Sequence, residues 1–231
     1  MACDAVLVGA RGTSSSNTVT TTAGNTAASG SSFALLVSWD ETVSVSGTIT
    51  DNKSNVYTAV GTPQGDWTST WGTSQWFYCE NGAGGTSHTV TVNFTGTAFP
   101  TAHLIEVTSA NGAPIFDTAA DAQVQDAASP YTVTSGTLTD ATSVVLSGCG
   151  ANRGADGAYS SSNFTVLSQE PAVSSFWTSG AGKLVVSATT AVTPSWTVLN
   201  RSETAGVTVI SFYEPAAGGS PAKRLTLLGV G

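Results

Sequence analysis

The chain has 231 residues, enough to bury a sizeable core without disulfide or metal staples, either as one large β domain or as two small ones. With 7 Lys and Arg against 15 Asp and Glu, a net charge of -8 and a pI near 4.4, it lacks the clustered basic residues that displace counterions from a phosphate backbone, which argues against a nucleic-acid partner. Only 10% of the residues are charged while 36 are Thr and 30 are Ser, so solubility rests on hydroxyls, a balance shared by secreted proteins and virion proteins.

Residues 1–9 carry no basic region and few apolar residues before Arg11, so no secretory signal is read there and folding in a cytoplasm is expected. No apolar run approaches the ~20 residues that span a bilayer, so no membrane partner is expected. Cys3, Cys79 and Cys149 are odd in number and form no C-x-x-C pair, which fits neither a disulfide framework nor a zinc site. Cys79 and Cys149 fall in apolar, strand-like stretches and are expected to be small buried hydrophobes, a bridge between them being the alternative. Cys3 is expected to be the exposed one.

In chain order, short runs rich in β-branched and aromatic residues recur at 5–8, 18–22, 33–39, 43–50, 56–60, 75–80, 89–94 and 103–108. Gly-, Asn- and Ser-rich breaks such as 23–25, 28–32 and 81–85 supply the reversals between them. No window holds a sustained 3.6-residue period; at most residues 117–126 predict a helical turn or two.

After Pro130 the pattern restarts. Residues 131–134 match 17–20, 143–147 match 33–37, 163–167 match 55–59, 195–199 match 89–94, and 205–210 match 102–105, at offsets from 103 to 114. The expected fold is therefore all-β, an antiparallel β-sandwich of two related halves, about 5–117 and 130–214, forming a body over 1–214. The halves either make two sandwiches or complete one. Ile115 and Phe116 make the connection too apolar for a linker, which favours one compact body. Residues 215–221 read as a linker and 222–231 as a C-terminal strand or arm.

The run TDNKSNVYTAV, the aromatic strand SQWFYCENGAGGTSHTVTVNF, the stretch AHLIEVTSANGAPIFD and the ending AGVTVISFYEP resemble β-sandwich domains of tailed-bacteriophage virion structural proteins and related bacterial surface proteins. The resemblance covers roughly residues 5 to 215 and rests on strand and turn patterns. It implies a jelly-roll-like fold and a virion or surface role, and it transfers no functional residues.

Chemical candidates are few. The turn 51–55 offers oxygen atoms for Ca²⁺ but lacks the spacing and terminal Glu of an EF-hand loop, and Asp117, Asp121 and Asp126 read as solvated loop acids, so no metal or cofactor is expected. His88 and His103 are the two histidines, no G-x-S-x-G elbow accompanies them, and His103 is expected to be a packed or edge side chain. Glu80 and Glu106 are the best pair for glycoside hydrolysis, yet lone acids in strands are usually paired or exposed. Residues 148–154 are one residue too long for a G-x-G-x-x-G loop and follow no βαβ pattern. No catalytic residues, and no enzyme, are expected.

Trp39, Trp76 and Trp196 fall on strands and are expected in the core. Trp67, Trp71 and Tyr159 fall in polar loops, where flat rings either cover the ends of a core or stack on a sugar. In the tail, Lys223, Arg224, Leu225, Leu227 and Leu228 make either a final strand or an arm that pairs with the edge of a neighbouring subunit, its two cations meeting an acidic surface. The expected function is that of a non-enzymatic virion structural protein, a capsid decoration or tail or fibre component. It would assemble with copies of itself and with other virion proteins. The alternative is a carbohydrate- or receptor-binding module that contacts a host surface glycan.

Overall fold

Alternating Val and Thr favour a pleated surface with one face buried, and the Gly and Asn turns between such runs reverse the chain, so neighbouring strands run antiparallel. The computed structural model describes residues 3–13, 15–39, 43–66, 71–118, 122–126, 129–152, 158–171, 177–198 and 205–217, and among these there is no helix. The first half holds β1 (Asp4–Gly12), β2 (Ser16–Thr20), β3 (Ser31–Trp39), β4 (Thr50–Asp51), β5 (Thr58–Ala59), β6 (Gln64–Asp66), β7 (Trp71–Gly82), β8 (Val90–Ala98) and β9 (Thr101–Thr108). The second holds β10 (Ile115–Phe116), β11 (Ala122–Asp126), β12 (Tyr131–Thr132), β13 (Val144–Asn152), β14 (Tyr159–Ser161), β15 (Thr165–Pro171), β16 (Trp177–Val185), β17 (Ser195–Val198) and β18 (Ala205–Tyr213).

Both halves pair their strands in the same order. A large sheet runs β1-β9-β3-β7 with β5 and β6 on the far side of β7, and a small sheet runs β2-β8-β4. The counterparts are β10 and β11 beside β18, then β13, β16 and β15, with a small sheet β12-β17-β14. With β5 and β6 counted as one interrupted strand, this is the order of an eight-stranded jelly roll whose fifth strand has joined the larger sheet. The five pairs of segments matched in the sequence fall on β2 and β12, β3 and β13, β5 and β15, β8 and β17, and β9 and β18, equal places in the two halves.

The half boundary differs from the sequence reading. Ile115 and Phe116 pair with Tyr213 and Phe212, so the second half begins before residue 117 rather than at 130. Residues 122–126, where a helical turn was predicted, form β11 in register from Ala122↔Val209 to Asp126↔Ala205. The unpaired side of β18 supplies a ladder that outweighs weak Ala helix propensity. Within the stretch 43–50 the structure makes only an isolated bridge, Val45↔Phe94, before the short β4.

Four layers result, with three cores between them. Val19, Val90, Val92 and Phe94 of the first small sheet pack on Phe33, Leu35, Val37 and Trp39. Tyr131, Trp196 and Val198 pack on Val145, Cys149, Val207 and Val209 in the second half. Between the two large sheets lie Ala34, Leu36, Trp76, Ile105 and Val107 against Val144, Leu146, Ala181, Ile210 and Phe212, joined by Phe116. Strands with both faces covered read as continuous buried runs, as in β3, whereas β8, with one face outside, alternates strictly over Val90 to Phe94.

The large sheets stack with β1 by β15, β9 by β16, β7 by β18 and β6 by β11. Ser179 of β16 meets Thr101 and His103 of β9, while Lys183 reaches Asp4, the ladder partner of Thr108, so β16 and β9 run in the same direction. Such an order corresponds to a pseudo-twofold axis along the strands, as in an isologous dimer built within one chain. The sheets approach closely: a Cβ at Gly148 would lie 2.5 Å from Leu36 Cδ1, and one at Gly206 would fall on the Gln64 carbonyl oxygen.

Candidate functional site

A dense polar cluster lies at one end of the first jelly roll. Asp51 closes the turn between β4 and β5 as an Asx motif, its Oδ1 accepting the Lys53 and Asn55 N–H groups at 2.9 Å each. Ser54, at φ 68, takes the left-handed conformation that this turn demands. Oδ2 accepts from Asn55 Nδ2 at 2.7 Å and from the Tyr57 hydroxyl at 3.0 Å, and it pairs with His88 Nε2 at 2.7 Å. His88 has no exposed surface and packs edge-on against Phe33 with ring centroids 4.7 Å apart. Its Nδ1 lies 3.2 Å from Thr26 Oγ1, which also takes the Gly85 N–H at 2.9 Å.

The rest of the turn is spent on the loop that precedes β8. Asn52 Nδ2 donates to Ser87 O and its Oδ1 accepts the Thr89 N–H. Lys53 Nζ donates to Thr86 O, and Asn55 both donates to Ala83 O and accepts the Ala83 N–H. Burial alone would raise the Asp51 carboxyl, but hydrogen bonds from His88, from the Asn55 side chain and from the Asn55 and Lys53 amides outweigh it and hold the group at about 2. Burial and the adjacent Asp51 charge push the Tyr57 phenol up.

Thr26, His88 and Asp51 have the connectivity of a hydroxyl–imidazole–carboxylate relay. The imidazole is sealed, and the hydroxyl is engaged with both the N–H and the carbonyl of Gly85, so no substrate carbonyl can enter between them. Both Asp51 oxygens face donors, the reverse of the arrangement a cation requires. Among the described residues no group of three His, Cys, Asp or Glu is placed to hold a metal. What the cluster does chemically is bind three loops into one end plate.

The other acidic candidates have separate tasks. Glu106 is buried and its Oε1 accepts the Ala27 N–H at 2.8 Å and the Ser31 hydroxyl at 2.6 Å. Glu80, on β7, accepts the Phe116 N–H at 2.6 Å. By strand alternation Glu106 shares the face of Leu104 and Glu80 that of Tyr78, so the two acids lie on opposite faces of one sheet and do not flank a cleft. Asp117, expected as a solvated loop acid, is 2% exposed and receives the Thr139 N–H and hydroxyl. Asp121 and the Asp126 side chain lie outside the described residues.

His103 is packed rather than at an edge, fully buried between the large sheets with Nε2 2.6 Å from Ser179 Oγ. Burial lowers it to about 3, so the ring is neutral near neutral pH. Cys3, Cys79 and Cys149 are thiols, none of them in a disulfide. Cys3, expected to be exposed, is fully buried in the central core, where burial first, then the charges of Glu214 and Asp140, raise its thiol to about 12; its N–H donates to Thr142 O, tying the first residues to the second half. Cys149 is buried as expected and Cys79 is half-buried.

Of the predicted contact aromatics, Tyr159 is corrected. It is 3% exposed, on β14, packed edge-on to Trp196, and its hydroxyl accepts the Ala151 N–H, so it offers no ring face to a sugar. The polar stretch around it looked like a loop, yet its small neighbour Gly180 leaves a slot that the ring fills. Trp67 and the Trp71 side chain lie outside the described residues, as do Lys223, Arg224, Leu225, Leu227 and Leu228. Trp39, Trp76 and Trp196 are core, 0–1% exposed.

Sequence reasoning missed the Asp51–His88 pair because 37 residues separate them. The available signal was a scarce residue, His88, opening an alternating strand straight after a Gly-rich loop, with an Asx-rich turn at the same end of the sandwich. One open groove of about 380 Å³ lies where the halves join, lined by Glu80, Asn81, residues 111–115 and Pro215. No protein-family model, curated protein or solved structure matches the chain.

Proposed function

We propose that the chain is a non-enzymatic structural protein of a bacteriophage virion, a capsid decoration or tail or fibre component that acts by assembling with copies of itself and with other virion proteins. The observation that carries this reading is how the reactive side chains are spent. Asp51, His88, His103, Glu106 and Asp117 are all buried and bonded within the frame, which is what a load-resisting scaffold asks of its polar groups. The resemblance of the strand and turn patterns to virion β-sandwich domains supports the setting.

Assembly requires an accessible edge. In β1 the segment from Gly9 onward is covered by Thr22, whose hydroxyl meets both the Ala10 N–H and the Ala10 carbonyl. Before the bulge at Leu7/Gly9, Val6 and Leu7 remain 48% and 37% exposed on the outermost strand of their sheet. An edge with apolar side chains is a template for a strand from another chain. The C-terminal segment, with Lys223 and Arg224 beside Leu225, Leu227 and Leu228, has the composition of such a strand, and its cations suit a neighbour of net charge -8.

The test is solution mass by light scattering on the full chain, a variant deleted for residues 216–231, and Val6→Lys with Leu7→Lys. The full chain should be an oligomer and both variants monomers of unchanged circular dichroism. A monomeric full chain, or an oligomer indifferent to both changes, overturns the assembly route. Absence of the protein from purified particles by antibody labelling overturns the virion setting.

A further inference from the structure

The segment joining the halves carries a reactive pair that assembly does not use. Two Asn-Gly pairs occur among the described residues, Asn81–Gly82 and Asn111–Gly112. An asparagine amide carbon is attacked by the backbone nitrogen of the next residue when the two can meet and the nitrogen can lose its proton. A following glycine removes the Cβ that obstructs this approach.

The fold treats the two following glycines oppositely. Asn81 is the penultimate residue of β7, exposed and at φ 48, and its N–H donates to Ser32 Oγ at 3.3 Å. Gly82 is buried, paired with Ser31 in the β3–β7 ladder, and Phe33 ring carbons lie 2.7 and 2.8 Å from where its Cβ would stand. Asn111 and Gly112 are exposed in the turn after β9. Among the described residues neither the Asn111 side chain nor the Gly112 N–H has a hydrogen-bond partner. Gly112, at φ 118, has only Pro215 Cγ near its Cβ position, at 4.0 Å. The turn is held from either side, by Ser109 Oγ on Gly112 O at 2.7 Å and by the Ala110 N–H on Glu214 Oε1 at 3.1 Å, and both bonds leave the Gly112 nitrogen free to turn.

We infer that Asn111 is a site of spontaneous deamidation through a cyclic imide, and that the fold protects Asn81 from the same reaction. The Gly112 nitrogen gives its proton to solvent base and bonds to Asn111 Cγ, Nδ2 takes a proton back from solvent as the Cγ–Nδ2 bond breaks, and ammonia leaves. Water then opens the ring at either carbonyl, leaving aspartate or isoaspartate at position 111. No oxidant or reductant takes part. The product sets a new carboxylate in the groove that already holds Glu80, and the iso form adds one carbon to the main chain between the halves.

The full chain, aged at neutral and at mildly alkaline pH, is digested and mapped by mass spectrometry, with isoaspartyl methyltransferase labelling of the products. Position 111 should convert at least ~10-fold faster than position 81, since a ladder residue must open first and each ~1.4 kcal/mol of opening slows a reaction tenfold. In urea the two rates should converge. Asn111→Gln should remove the early acidic species while circular dichroism stays unchanged. Equal rates at 111 and 81 in the folded chain, or an acidic species that persists in Asn111→Gln, overturns the inference.

Discussion

Asp51→Asn keeps the shape of the side chain and removes the charge on which five donors converge. One carboxylate oxygen becomes an amide NH₂, which then faces either the backbone N–H groups of Lys53 and Asn55 or the donors of Asn55, Tyr57 and His88. A fall of the carboxyl from 3.8 to about 2, at ~1.4 kcal/mol for each tenfold change in proton affinity, amounts to ~2 kcal/mol of folding stability. Because the folded value is the lower one, that stability is complete above the unfolded carboxyl value of ~3.9 and is lost as pH falls toward the folded value. A buried N–H left facing another donor adds ~1 kcal/mol or more at every pH. Urea unfolding followed by Trp fluorescence should therefore place the variant ~3 kcal/mol below the parent at pH 7, and ~2 kcal/mol of that difference should vanish on approaching pH 2. A difference that stays constant from pH 6 to pH 2.5 would refute the claim that the turn is held by a charged carboxylate.

His103 works in the opposite pH range. Its buried ring stays neutral down to about 3, while the unfolded ring takes a proton near 6.5, so parent stability should fall by ~1.4 kcal/mol per pH unit between about pH 6 and pH 4. His103→Leu should flatten that slope, and a slope equal to the parent's would show the ring is not buried neutral. At the contact of the large sheets, Gly206→Ala should cost more than Gly148→Ala, roughly 3 against 1 kcal/mol, because the first meets the Gln64 backbone and the second the movable end of Leu36. Equal midpoints in a thermal melt would contradict this.

Much of the fold was legible because it is local. Val90 to Phe94 alternates as it does because one side of β8 is water, and Trp39, Trp76 and Trp196 are buried as their strands' composition implies. Pairings between the ends of each half were not legible: Asp4 meets Thr108, and Ala122 meets Val209, across separations that carry no periodic signal. The face between the large sheets escaped for a similar reason. Gly148 and Gly206 are the places where Leu36 and Gln64 come too close for a Cβ, contacts set by the opposite sheet and marked by no period in the sequence. The end plate at Asp51 looked like any Asx-rich turn, since its meaning depends on His88 arriving from another loop.

The shared face between the large sheets has a consequence for how the protein is made. Synthesis proceeds from the N-terminus, and the first jelly roll can close as soon as Thr101–Thr108 pairs with β1. At that moment Ala34, Leu36, Trp76, Ile105 and Val107 still form an uncovered apolar sheet, and their cover is complete only with Ile210 and Phe212, about a hundred residues later. A ribosome halted between those points releases a folded but adhesive half, whose readiest cover is the same face of another halted chain. Translation of β18, rather than folding of the first half, is therefore the step that makes this chain safe to leave alone.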